Sequence, residues 1–162
     1  MDRFWHAFLP LFVALDGVGL LPIFLALTHR LPAAQRRSAT HQAVLTALLA
    51  TTSFVFVSAS VFELMGLEFA DVMVAGGVIL IVLCLKELLF SDEPPKLEHA
   101  RPGVVPIGVP LLAGPAVLTT SLLLRQRYGV MPTVAALALN SVLCWLALQA
   151  ADRLMDRVGR VG

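Results

Sequence analysis

Long stretches without a charged residue alternate with short charged clusters along this chain. Residues 43–62, 102–124 and 128–151 each carry no Asp, Glu, Lys or Arg, and residues 4–28 carry only Asp16, at their centre. Residues 72–85 form a shorter run. It extends to 90 if Lys86 and Glu87 lie near an interface, where long side chains snorkel. A membrane helix needs about 20 mostly apolar residues. The pattern therefore predicts an all-α polytopic membrane protein with about five transmembrane helices, at 4–28, 43–62, 72–90, 104–124 and 130–151.

The only clear hydrophilic linker is "SDEPPKLEHAR", beginning at Ser91, and Pro94 with Pro95 prevents a regular helix there. It divides a single membrane domain, 1–162, into a first repeat over 1–90 and a second, incomplete repeat over 104–162. Residues 91–103 form the linker between them.

Two of the five spans look broken. Asp16, Gly17, Gly19 and Pro22 interrupt the first, and Pro110, Gly114 and Pro115 interrupt the fourth. Proline lacks an N–H and crowds the carbonyl four residues back, so Pro22 acts on Val18, Pro110 on Pro106 and Pro115 on Leu111. Backbone groups freed at that depth need partners, because lipid offers none. Interrupted hydrophobic segments in corresponding positions of two halves are the sequence sign of half-helices whose ends meet at the bilayer midplane. Helices 1 and 4 are thus expected to be inverted-repeat-like partners. The plainer reading is that Pro and Gly are common in membrane helices and serve packing.

Composition agrees with the membrane reading. Hydrophobic residues make up 58% of the 162, and only 14% are charged, against roughly 25% in a soluble domain. Mean hydropathy is +0.84. A net charge of +1 leaves no basic field for nucleic acid. Five spans place Arg3, Arg125 and Arg127 on one side and the other nine of the 12 Lys and Arg on the opposite side. The positive-inside rule makes the second side cytoplasmic, with the N-terminus outside and the C-terminus of this chain inside. Glu63, Glu68 and Asp71 then fall in an external loop. The N-terminal run has no small-residue cleavage site and continues past Asp16, unlike a signal peptide. Cys84 and Cys144 both fall inside spans and read as buried free thiols.

Three stretches carry a family resemblance: "LFVALDGVGLLPIFLALT" from Leu11, "AGGVILIVLCLKEL" from Ala75 and "VPIGVPLLAGPAVLTT" from Val105. Together they resemble the MarC family of bacterial inner-membrane proteins, over most of the chain. Asp16 stands where that family usually has Asn, Gly17 where it has Pro, and Ala116 where it has Gly. The family usually has six spans, and this chain ends where a sixth would begin. The family is itself similar to the LysE-type transporter superfamily. The resemblance therefore implies a multi-pass protein of the bacterial inner membrane and a transport class, without naming a substrate.

Asp16 is the leading candidate for chemistry. A carboxylate at mid-bilayer costs about 2.5–3.5 kcal/mol on insertion scales and marks a functional site by default. It could bind a cation or carry a proton. It could also cap the broken helix by accepting a freed N–H. Gly17, Gly19, Gly114 and Pro115 would supply exposed half-helix ends. Hydroxyls at Thr119, Thr120 and Ser121 could line a polar path or bond back to their own helix carbonyls. Asn140 could contact a solute or join two helices by a hydrogen bond. Gly76 and Gly77 suit close helix packing.

The four histidines are dispersed, with no metal-ligand spacing, so neither metal nor cofactor is expected. No nucleophile elbow or Walker loop is present, which argues against an enzyme. Two functions remain. One is a small secondary transporter for a small polar solute or ion, driven by a proton or cation gradient. The other is a binding or assembly module of the inner membrane whose breaks serve packing. The expected partners are the lipid bilayer and a small solute or ion, and a homo-oligomer would let two short chains complement each other.

Overall fold

The computed structural model describes residues 2–28, 31–90 and 103–158. Among these there is no strand. The order is α1 (Asp2–Leu15), α2 (Leu21–Thr28), α3 (Ala33–Met65), α4 (Phe69–Phe90), a π-helix, π1 (Gly103–Leu112), α5 (Pro115–Tyr128) and α6 (Val130–Val158). The linker expected over 91–103 lies outside the described residues as far as 102, and Gly103 already begins π1. Arg30, Lys96, Arg101 and Arg160, which enter the charge asymmetry, also lie outside them, as does the side chain of Cys84.

Helix length sorts the elements. At 1.5 Å per residue, the 22 residues of α4 reach about 33 Å, enough for a hydrocarbon core of about 30 Å. Residues Ala33–Ser58 of α3 and Val130–Ala151 of α6 are long and apolar enough to cross a membrane unaided. By contrast α1, with 14 residues, reaches about 21 Å, and α2, with eight, about 12 Å. Neither can cross alone. α3 begins well before the apolar window at 43 and carries Arg36 and Arg37 in its first turns. Arg36 is buried there, donating to the Leu31 carbonyl at 3.5 Å.

Local chemistry sets the helix ends. Gly66 takes φ 64°, the left-handed conformation that ends α3. Its N–H bonds Glu63 O at 3.3 Å, and Leu67 N–H bonds Phe62 O at 2.9 Å. Asp71 reaches back to accept from Glu68 N–H at 2.8 Å, which fixes the start of α4.

The core lies where α1, α3, π1, α5 and α6 meet. α1 packs mainly on α6, and α3 packs on both π1 and α6. α1 contributes Ala7, Leu11 and Leu15, spaced by four. The buried stripe of α3 runs Ala39, Ala43, Ala47, Thr51, Val55, Ser58, and its alanines let backbones approach closely. The outward surface is apolar as well: Val13, Leu45, Leu49, Val57 and Val74 are all exposed. A water-facing surface rarely carries so extended an apolar face. A lipid-facing one requires it, since lipid offers polar groups no partners.

Candidate functional site

α1 stops at Leu15 because the chain turns at Asp16, whose φ is +35°. Asp tolerates this left-handed region better than most residues. Its Oδ1 accepts from Gly19 N–H at 3.0 Å, and its carbonyl accepts from Leu20 N–H at 3.0 Å. The Val18 carbonyl, which Pro22 cannot bond, accepts instead from Leu21 N–H at 3.1 Å. Helix then resumes as α2, with Pro22 in its first turn, where a missing N–H is harmless. The Gly19 and Leu20 N–H groups and the Asp16 and Val18 carbonyls are thus satisfied from within.

Both glycines of this turn are required by contact. A Cβ on Gly19 would overlap the Asp16 carboxylate. A Cβ on Gly17 would lie 2.9 Å from Cys144 Sγ and 3.3 Å from Cys144 Cα, so the turn sits directly against the α6 backbone.

Beside the turn lies a cavity of about 60 Å³, lined by residues of α1, the turn and α6, among them Asp16, Gly17, Asn140 and Cys144. It can hold a few waters or one small ion with part of its shell. Asp16 is exposed, whereas Asn140 is only 2% exposed. Asn140 Nδ2 donates to Phe8 O at 3.1 Å, across to α1, and to Ala136 O at 3.0 Å, in its own helix. Its Oδ1 is buried and has no partner. The two carbonyl acceptors fix which way the amide points, because the reverse orientation would set oxygen against oxygen. No Lys, Arg or His is among the lining residues.

The second interruption is built differently. π1 places a wider turn over Pro106 and Pro110. The Pro106 carbonyl, which the nitrogen of Pro110 cannot serve in an α-helix, is offered the next N–H in a π ladder. Ala113 N–H bonds Gly108 O at 2.9 Å, five residues back, and closes this ladder. Gly114 then caps α5 in an extended conformation, and Pro115 occupies its first turn. Leu112, Ala113 and Gly114 are all buried. Thr119 Oγ1 bonds back to Pro115 O at 2.7 Å, and a Cβ on Gly76 of α4 would overlap the Thr119 methyl. Thr28, Thr40 and Thr133 bond back in the same way. Ser121 Oγ and Thr51 Oγ1 are buried without partners, away from the cavity.

Of the residues singled out from the sequence, Asp16, Gly17 and Asn140 line one cavity. Gly19 holds the turn beside it, and Gly114, Pro115, Thr119 and Thr120 lie outside its lining. Sequence reasoning did not assign Cys144, Leu143 or Ala147 to a site. The available signal was helical spacing: Asn140, Cys144 and Ala147 recur at four and three residues, on one face of α6.

A family model described as "MarC family integral membrane protein" matches residues 1–162. A membrane protein of Buchnera aphidicola subsp. Schizaphis graminum is 32% identical over 120 residues, covering 73% of this chain and 61% of the relative. An inner membrane protein of Escherichia coli K12, YhgN, is 29% identical over 131 residues, covering 79% of this chain and 66% of the relative. A membrane protein of the archaeon Pyrococcus abyssi is 24% identical over 169 residues, covering all of this chain and 83% of the relative. The chain thus spans about three-fifths of the length of the Buchnera relative. No solved structure gives a significant match.

Proposed function

The chain belongs to the MarC family of integral membrane proteins, and on that premise we propose that it is a small secondary transporter of the inner membrane, moving a small polar solute or ion. The observation that carries this reading is the cavity at the α1–α2 turn. Its lining includes the Asp16 carboxylate and the turn backbone of Gly17, set against α6 at Asn140 and Cys144. In a membrane a lone carboxylate is a standing cost, which a passing ligand would relieve. α1 and α2 are each too short to cross, so together they act as one discontinuous span whose interruption lies near the midplane. π1 and α5 would form the corresponding span of an inverted second repeat. A proton or cation gradient would drive the cycle, with the N-terminus outside and the C-terminus of this chain in the cytoplasm. Lipid would surround the outward apolar face, and a second copy could complete a homo-oligomer.

One observation favours a second reading, a non-transporting binding or assembly module. Asp16 already has a structural task, accepting from Gly19 N–H. The two readings separate in sealed vesicles. Under the transporter reading, reconstituted protein carries solute across the bilayer and Asp16→Asn stops it, although Asn can still cap the turn. Flux that is identical in both proteins, or absent from wild type for every small solute tried, would favour the assembly module.

A further inference from the structure

We propose that the cavity beside Asp16 is a binding site for a small monovalent cation, either an alkali-metal ion or an ammonium group. The inference rests on this same cavity being the solute site and adds the chemical class of what enters it.

The assignment follows from the inventory of polar atoms. Both N–H groups of Asn140 are committed to the carbonyls of Phe8 and Ala136, at 3.1 and 3.0 Å. What Asn140 has left is Oδ1, an acceptor, 2% exposed as a residue and without a partner. The Asp16 carboxylate, when ionised, is acceptor-only. The Gly19 N–H nearby is already donated to it. The side chains lining the cavity thus offer strong acceptors and no free strong donor. An anion or a carboxylate-bearing solute would be set against the Asp16 carboxylate. A cation, or a group rich in N–H donors, would pair with the Asp16 carboxylate.

Charge points the same way. Asp16 sits in an otherwise apolar outward face, and no cationic side chain lines the cavity with it. At membrane depth a lone carboxylate calls for a counter-charge. One carboxylate balances one positive charge. A divalent ion such as calcium takes six to eight oxygens, several of them usually from carboxylates. Among the described residues no three His, Cys, Asp or Glu come together to hold a metal of that kind. Carboxylate and amide oxygens are hard ligands, suited to alkali-metal ions and ammonium rather than to soft metals. A volume of about 60 Å³ admits such an ion with a water or two.

The test is thermal unfolding of the full chain in detergent at constant ionic strength. Chloride salts of sodium, potassium, ammonium and choline are compared, then sodium salts of chloride, formate and acetate. At least one small cation is expected to raise the melting temperature above the choline value, with saturation. Changing the anion at fixed sodium is expected to do nothing. In Asp16→Asn, which keeps the cap to Gly19, the apparent affinity should fall at least about tenfold. A partly filled site should also slow alkylation of Cys144, whose thiol is in the cavity wall, in a Cys84→Ser background.

Four results would overturn the proposal: no small cation outperforming choline, an equal response in Asp16→Asn, a response that follows the anion, or a response to acidification alone. Asn140→Ala sharpens the site if it folds, and Asp16→Asn decides without it. The transport reading fails separately. Cation binding with no flux in vesicles would sink transport and keep the site, whereas Asp16-dependent flux of an anion without cation binding would do the reverse.

Discussion

The turn at Asp16–Leu20 and the joint at Ala113–Gly114 are made from similar residues and do opposite things. Each combines Gly with Pro inside an apolar run, and each separates two helices that are short for a bilayer. At the joint, the backbone resolves its own difficulty. A π-helix absorbs two prolines, Pro115 starts the next helix where its missing N–H is harmless, and the surroundings are buried. No residue of the joint lines the cavity beside Asp16. At the turn, a left-handed residue is needed, a carboxylate closes it, and a cavity opens against α6. The difference teaches that a break in a membrane helix is not itself a site. It becomes one when a polar side chain is left with unused capacity beside space.

The comparison can be broken or sharpened by substitution. The largest effect is expected from Asp16→Asn on ligand response and flux, a loss of about tenfold or more in apparent affinity, with unfolding stability nearly unchanged. Asn caps about as well as Asp and also accepts the left-handed conformation. Flux assays in vesicles, paired with chemical unfolding in detergent, read the two quantities separately. Next comes Gly17→Ala, which drives a methyl into Cys144 and should lower stability by about 1–3 kcal/mol. Combining it with Cys144→Ala should recover part of that loss, and strict additivity in this double-mutant cycle would show that the turn does not press on α6 as described.

Smaller effects belong to the joint. Thr119→Val removes the hydroxyl that bonds back to Pro115 and should cost about 0.5–1.5 kcal/mol with no change in ligand response. Pro115→Ala should be smallest, at about 1 kcal/mol or less, since the proline sits in the first helical turn and acts mainly by stiffening the unfolded chain. A large loss of flux in either variant would mean that the joint shares the site, which would restore the symmetric picture of two interacting half-helix ends.

The helical class, the membrane setting and the positions of both interruptions were legible in the chain itself. Charge-free runs of about 20 residues and the placement of Asp16, Gly114 and the prolines are local properties, and local chemistry decides where a helix can continue. Even the rescue of Thr119 by its own helix was one of the outcomes open to a hydroxyl in that setting. What the pattern could not give is which interruption opens onto space. Asn140 meets Phe8 across 132 positions, and Cys144 meets Gly17 across a comparable distance. No periodicity within one helix encodes a contact between α6 and α1. The cavity exists because two helices that are remote in sequence pack around a turn, leaving one amide oxygen unpaired between them. Sequence set the donors and acceptors, and only packing determined which of them would be left without a partner.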